Sequence, residues 1–195
     1  MRTLLLVAAV AALPVGCGPL LSRLPGAAPA RAITIETDGA ASQMQIRIPA
    51  RGADTRVSLV ARNDDVETWL AVDNISVSFR QGVLVATRGL GHDLMGAGAE
   101  TTLDALAGQG DEIYRRQMRY LTGDHRTTYL NAGCSMASVG AEAFGALRLQ
   151  RHEESCQARD HLFTNIFWTD GAGRIVRSQQ WVSPEVGFLV TILPR

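Results

Sequence analysis

The sequence predicts a mainly β protein: a strongly curved antiparallel sheet, a half-barrel or a sandwich, with one short helix. Three observations carry that expectation. Apolar and polar residues alternate with period two in run after run, as Met44, Ile46 and Ile48 do around Gln45 and Arg47, which is the pattern of a strand buried on one face. Compact turn signals, Gln81-Gly82 and Asp170-Gly171, separate such runs. Helix signals are scarce, and the best of them covers only residues 101–108.

Residues 1–16 read as a secretion signal. Arg2 gives a positive start, an apolar run follows from position 4 to position 15, and the small Gly16 precedes Cys17; the run is too short for a bilayer core of about 30 Å. Cys17 then stands where a bacterial lipoprotein carries its acylated cysteine, although Pro14 occupies the position that usually holds Leu, with Leu13 one step further back. Each buried CH₂ of an acyl chain contributes about 0.8 kcal/mol, so several chains on one cysteine make a stable anchor. Gly18 is not the Asp that commonly signals inner-membrane retention, so the expected location is the outer membrane, lipid-anchored, with the domain facing the periplasm. Residues 17–31, with Pro19, Pro25 and Pro29, form a linker. Residues 32–195 are one domain, long enough for a real core.

Within that domain the strands follow in order. Val57 and Leu59 start a run after the first strand, and Trp69 sits in a run over residues 66–72. Ile75, Val77 and Phe79 then alternate with Ser76, Ser78 and Arg80, and Gln81-Gly82 turns the chain into Val83-Leu84-Val85. This second arm of the hairpin ends in Thr87-Arg88-Gly89-Leu90-Gly91-His92-Asp93, whose glycines permit backbone angles that a side chain disfavours. Thr101 with Asp104 three residues on forms a weak capping box for the short helix, and Gly108 can end it. Tyr114, Met118 and Tyr120 share one face of the next strand, with Arg115, Gln117 and Arg119 on the wet face. Two further strands, residues 127–135 and 146–151, flank a loop over 138–145. At the C-terminal end, residues 162–168, 175–182 and 188–193 are apolar on both faces, which places them at the centre of the sheet; Trp168 and Trp181 read as core or rim residues.

Composition excludes several functions. The formal net charge is zero, and all 19 basic residues are Arg, so no electrostatic footprint for nucleic acid exists. Gly89-Leu90-Gly91 lacks the third glycine of a dinucleotide site, since position 94 is Leu. With Cys17 set aside, Cys134 and Cys156 are an even pair in an exported chain, so a disulfide is the default; closing a loop of about 23 residues stabilises a fold by roughly 3 kcal/mol on the chain-entropy model. Metal binding is not expected, because His152 and His161 fall at no motif spacing from the cysteines. No cofactor motif is present. His92 and Asp93 are adjacent, but neighbours on a strand point to opposite faces and no third group completes a catalytic set.

The segment 82–95, Gly-Val-Leu-Val-Ala-Thr-Arg-Gly-Leu-Gly-His-Asp-Leu-Met, the lipoprotein signal, the cysteine pair and the closing Phe-Trp-Thr-Asp-Gly, Ser-Gln-Gln-Trp-Val-Ser-Pro and Gly-Phe segments together resemble the YjbF/GfcB family, the group 4 capsule polysaccharide lipoproteins. The resemblance covers essentially the whole mature domain. It implies a β-rich outer-membrane lipoprotein in the export or assembly of exopolysaccharide or capsule, with no catalytic activity, working with the export and assembly proteins of the envelope and with the exopolysaccharide itself as a further candidate partner. It also marks Arg88, Gly89, Gly91 and Asp93 as family positions, with His92 between them. Two roles stay open for them, glycan contact or construction of the loop; a buried Arg88 paired with Asp93 would suffice for the second. Two other classes remain: an envelope carrier of lipid or acyl chains, which needs a roomy pocket of inward apolar residues, and a glycan-acting hydrolase, which needs two carboxylates across one cleft.

Overall fold

The computed structural model describes residues 42–121 and 126–193; the expected signal peptide, Cys17 and the linker lie outside the described residues. Twelve strands follow along the chain: β1 (Gln43–Ile48), β2 (Ala53–Asn63), β3 (Val66–Leu70), β4 (Ser76–Arg80), β5 (Val83–Arg88), β6 (Gly96–Ala97), β7 (Tyr114–Leu121), β8 (Thr127–Phe144), β9 (Leu147–Ala158), β10 (His161–Thr169), β11 (Ile175–Ser183) and β12 (Gly187–Ile192). One helix, α1 (Glu100–Leu106), stands between β6 and β7. Among the described residues no helix is long and apolar enough to cross a membrane.

All twelve strands belong to one antiparallel sheet in the order β5-β4-β3-β2-β1-β12-β11-β10-β9-β8-β7-β6. Its two outermost strands, β5 and β6, are consecutive in the chain, so the sheet curves nearly to closure and the short segment between them spans the gap. The alternation read from the sequence sets which face turns inward. Met44, Ile46 and Ile48 of β1, Val57 and Leu59 of β2, Trp69 of β3, and Val77 and Phe79 of β4 are all buried in one core cluster. The expected central position of the C-terminal strands holds, because β10, β11 and β12 lie in the middle of the order.

The hairpin at Gln81-Gly82 forms with φ of +48° and +87°, the two positive angles of a turn whose twist matches that of its strands. The helix forms one residue early, and the capping box does not. Its N-cap is Ala99, which has no side-chain capping bond; Glu100 instead accepts the Ala99 N–H at 3.0 Å, and Thr101 donates its hydroxyl to the Arg115 carbonyl. The loop expected over 138–145 is also corrected. Strand β8 runs through it to Phe144, and a tight turn with Gly145 at φ +59° leads into β9; a register shift between Ser138 and Gly140 absorbs the irregular sequence as a bulge. Within this long hairpin Cys134 and Cys156 are directly opposed and joined by a disulfide.

Register places four connections at the same end of the sheet, here called the mouth: the turn from β9 to β10, the turn from β11 to β12, the far ends of β7 and β8, and the segment from β5 to β6. Helix α1 and the turns after β4 and β10 lie toward the opposite end. There Leu103 and Leu106 pack with Val83, Ala99, Phe167 and Ile175 in a second, smaller cluster.

Candidate functional site at the seam and mouth of the sheet

Residues 89–95 form the seam between the two sheet edges, and their geometry follows from the side chains of Thr87 and Asp93. Asp93 accepts from the Gly89 N–H at 2.9 Å, the Leu90 N–H at 3.0 Å and the Thr87 hydroxyl at 2.9 Å. The Thr87 oxygen in turn accepts the Leu94 N–H at 3.0 Å. Main-chain bonds tie the seam to both edges: Thr87 N–H to the Leu94 carbonyl on the β5 side, and Met95 N–H to the Arg119 carbonyl on the β7 side, each 2.8 Å. Leu90 and Leu94 anchor it in the core. A buried ion pair of Arg88 with Asp93, which would have sufficed to build the loop, does not form. Arg88 is exposed and spends its guanidinium on the carbonyls of Thr87, Leu94 and Met95, because Asp93 turns inward to cap the N–H groups of the loop.

Gly89 and Gly91 both sit at positive φ, +89° and +83°. They differ in surroundings. A Cβ on Gly89 would stand 3.3 Å from the Asn74 oxygen and from Ile75 Cα, whereas one on Gly91 would meet nothing within 4 Å. Gly89→Ala should therefore cost about 1–3 kcal/mol, and Gly91→Ala less, as read from urea denaturation midpoints. Equal losses would mean that only the dihedral matters.

Beyond the two residues of β6 the seam is closed by side chains. The Leu84 N–H donates to Gln180 Oε1 at 2.8 Å, and the Leu84 carbonyl accepts from Arg116 at 3.2 Å. Gln180 also donates to the Gly82 carbonyl at 2.9 Å. An open edge strand exposes such groups for pairing with another chain; here buried polar side chains from across the sheet satisfy them. Arg116 is held in turn by Glu154, at 2.7 Å, and the Glu154 carboxylate also accepts from the Thr102 hydroxyl at 2.6 Å, the Tyr114 hydroxyl at 2.8 Å and the Asn165 amide at 2.6 Å. Arg116 is 3 % exposed and Glu154 not at all. Burial alone would raise the pKa of Glu154, but the Arg116 charge and the hydrogen bonds from Thr102, Asn165 and Tyr114 outweigh it and hold the carboxyl below the usual range. Burial and the Glu154 charge push the Tyr114 hydroxyl up, so it remains a donor.

Cys134, Cys156 and Glu154 are the group with metal-like proximity among the described residues. Its sulfurs are joined in the disulfide and its carboxylate carries the four donors just named. That geometry is spent on structure.

At the mouth lies a cavity of about 620 Å³, lined by His92 and Asp93 of the seam, Tyr120, Tyr129 and Asn131 of β7 and β8, Arg159, Asp160 and His161 at the turn into β10, and Trp181 and Glu185 near the turn into β12. Trp181 is nearly buried, stacked on Phe163 with ring centres 4.4 Å apart and edge-on to Tyr120. Tyr120 donates its hydroxyl to the Val182 carbonyl at 2.6 Å, which fixes both rings. His92 lies 3.5 Å from Glu185 and so links the seam to the opposing turn. A larger cavity, about 780 Å³, runs over the outward residues Ser135, Ser155, Gln157, Leu162 and Thr164 beside the disulfide.

Of the residues singled out from the sequence, the structure thus gathers Arg88, Gly89, Gly91, His92 and Asp93 at the seam and pairs Cys134 with Cys156, while Cys17 lies outside the described residues. Sequence reasoning missed Arg116, Glu154, Asn165 and Gln180. One signal for Arg116 was available: it shares the period-two face of Tyr114 and Met118, and a charge on an apolar face requires a partner.

Comparison with known proteins agrees with this architecture. The family model described as group 4 capsule polysaccharide lipoprotein GfcB, YjbF matches residues 36–193. Among solved structures, the hypothetical lipoprotein YmcC from Escherichia coli (K12) superposes with a TM-score of 0.69 at 20% sequence identity, over 80% of this chain and 84% of that one, a likeness of fold. No curated protein matches. The chain belongs to the YjbF family of group 4 capsule polysaccharide lipoproteins.

Proposed function

We propose that this YjbF-family protein acts without catalysis in the export or assembly of an exopolysaccharide or capsule, held at the outer membrane through acylated Cys17 with its domain in the periplasm. The observation that carries the reading is the family match over residues 36–193. Support comes from the secretion signal ahead of Cys17 and from Gly18 in the sorting position. The non-catalytic part is supported by how the acidic groups are used. Glu154 and Asp93 are committed to hydrogen bonds that hold the fold. Asp160 and Glu185 do line one cavity, as a glycan hydrolase would require, but both are exposed to water, whereas the general acid on a glycosidic bond is held in an apolar pocket.

The test is deletion of the gene from the producing strain, with measurement of surface and secreted polysaccharide and of the intracellular pool. Loss of exported polymer, restored by the wild-type chain and not by Cys17→Ser, is expected, together with loss of the Cys17→Ser chain from the outer-membrane fraction. Normal export in the deletion strain would overturn the proposal. Release of reducing ends from the polymer by the purified chain would overturn its non-catalytic part.

A further inference from the structure

We infer that the cavity at the mouth is the site where this protein holds a polysaccharide, and that it takes an uncharged pyranose unit of the chain. The inference rests on the polysaccharide function proposed above and assigns it to one place.

Three features of the cavity point to a sugar. The first is its size, about 620 Å³, within the range of small-molecule sites. The second is its aromatic content. Trp181, stacked on Phe163, and Tyr120, edge-on to it, form a fixed aromatic end to the cavity that can meet the apolar face of a pyranose. Locked rings of this kind offer contact area at little entropic cost. The third is the polar set. Asp160 and Glu185 present carboxylates, which only accept hydrogen bonds, while His92 and His161 offer imidazole groups that can donate. Arg159 and Asp160 have no hydrogen-bond or ion-pair partner among the described residues.

The sign of the charges narrows the ligand. Among the described residues, Arg159 is the one guanidinium lining the cavity, and the carboxylates of Asp93, Asp160 and Glu185 stand in the same lining. Such a mixture gives no net field to attract an anion, whereas carboxylates bind hydroxyl donors strongly. A uronic acid would bring its carboxylate against Asp160 and Glu185; a neutral hexose would meet acceptors for its hydroxyls.

The position also explains why the seam carries a histidine. His92 projects from the loop that Asp93 holds, and it reaches Glu185 across the mouth, so the seam contributes to the cavity lining as well as to closure. The two roles open for the segment are divided between its residues: Thr87, Gly89 and Asp93 build the loop, and His92 faces the ligand.

The experiment titrates the full-length chain in zwitterionic micelles with manno-, gluco- and galacto-hexaoses and with a hexaglucuronate, following the indole N–H signals by NMR and the affinity by calorimetry. At least one neutral hexaose should bind saturably, perturb one indole signal, and bind at least tenfold more tightly than the glucuronate. Asp160→Ala and Glu185→Ala, both at exposed positions, should each weaken that binding about tenfold or more with an unchanged melting temperature. Absence of binding by all three neutral hexaoses, tighter binding of the glucuronate, or full affinity in both variants would overturn the assignment. The same two variants, returned to the deletion strain, separate this inference from the function on which it rests. Full restoration of export by variants that no longer bind would refute the site's role and leave the polysaccharide function standing. Normal export in the deletion strain itself would remove that function.

Discussion

Replacing Arg116 with Met is expected to cost about 3–5 kcal/mol of folding stability. The guanidinium is nearly inaccessible and bridges two groups that have no solvent to fall back on, the Glu154 carboxylate at 2.7 Å and the Leu84 carbonyl at 3.2 Å. The methionine fills much of the volume but leaves a buried carboxylate without its counter-charge and a strand-edge carbonyl without a donor. An unsatisfied buried polar group costs about 1–3 kcal/mol, more when charged. The surviving bonds from Thr102, Tyr114 and Asn165 cannot neutralise Glu154.

Two comparisons make that expectation specific. Glu154→Gln should cost a comparable amount, because it leaves the Arg116 guanidinium as the uncompensated buried charge. The double variant should cost less than the sum of the two, since residues in one buried network couple by about 0.5–3 kcal/mol. Urea unfolding of the four proteins gives the cycle. A loss below about 1 kcal/mol for Arg116→Met would place the pair with ordinary surface ion pairs and refute the account of the seam.

The same network shows how far the sequence could be read. Alternation identified β1 through β4 because one face of each packs into a single core, so every second residue reports the same environment; β5 and the C-terminal strands were read from their apolar runs. It also fixed the centre of the sheet, where β10 to β12 carry apolar residues on both faces. The seam was not legible. Its closing strand, β6, has only two residues, too few for any period, and the partners of Leu84 come from Arg116 and Gln180, 32 and 96 positions away. Asp93 was legible as a loop residue, since Asp commonly binds nearby N–H groups, but Arg88 and Asp93 in one short loop do not reveal which of them turns inward. The mouth cavity was illegible for a similar reason: His92, Asp160 and Glu185 belong to three separate connections that only the register of the sheet brings together.

Loss of the Cys134 to Cys156 disulfide should lower stability by about 3 kcal/mol on the chain-entropy model for a closed loop of this length, yet leave the sheet assembled. The bridged residues are 22 apart in sequence, and their strands remain paired along their length, from Gly133 opposite Gln157 to Phe144 opposite Leu147. The ladder therefore keeps the hairpin in register without the covalent link. The bridge lies on the buried face beside Tyr114, which pairs with Cys134 on the other side, and Glu154 is two residues before Cys156. Cys134→Ala/Cys156→Ala should accordingly lower the urea midpoint while the far-ultraviolet circular dichroism stays native. Its loss should also add to that of Glu154→Gln less than fully, because the bridge helps fix the strand that carries the carboxylate. A double-alanine chain that is unfolded without urea would mean that the hairpin is held by the bridge and that the ladder follows from it.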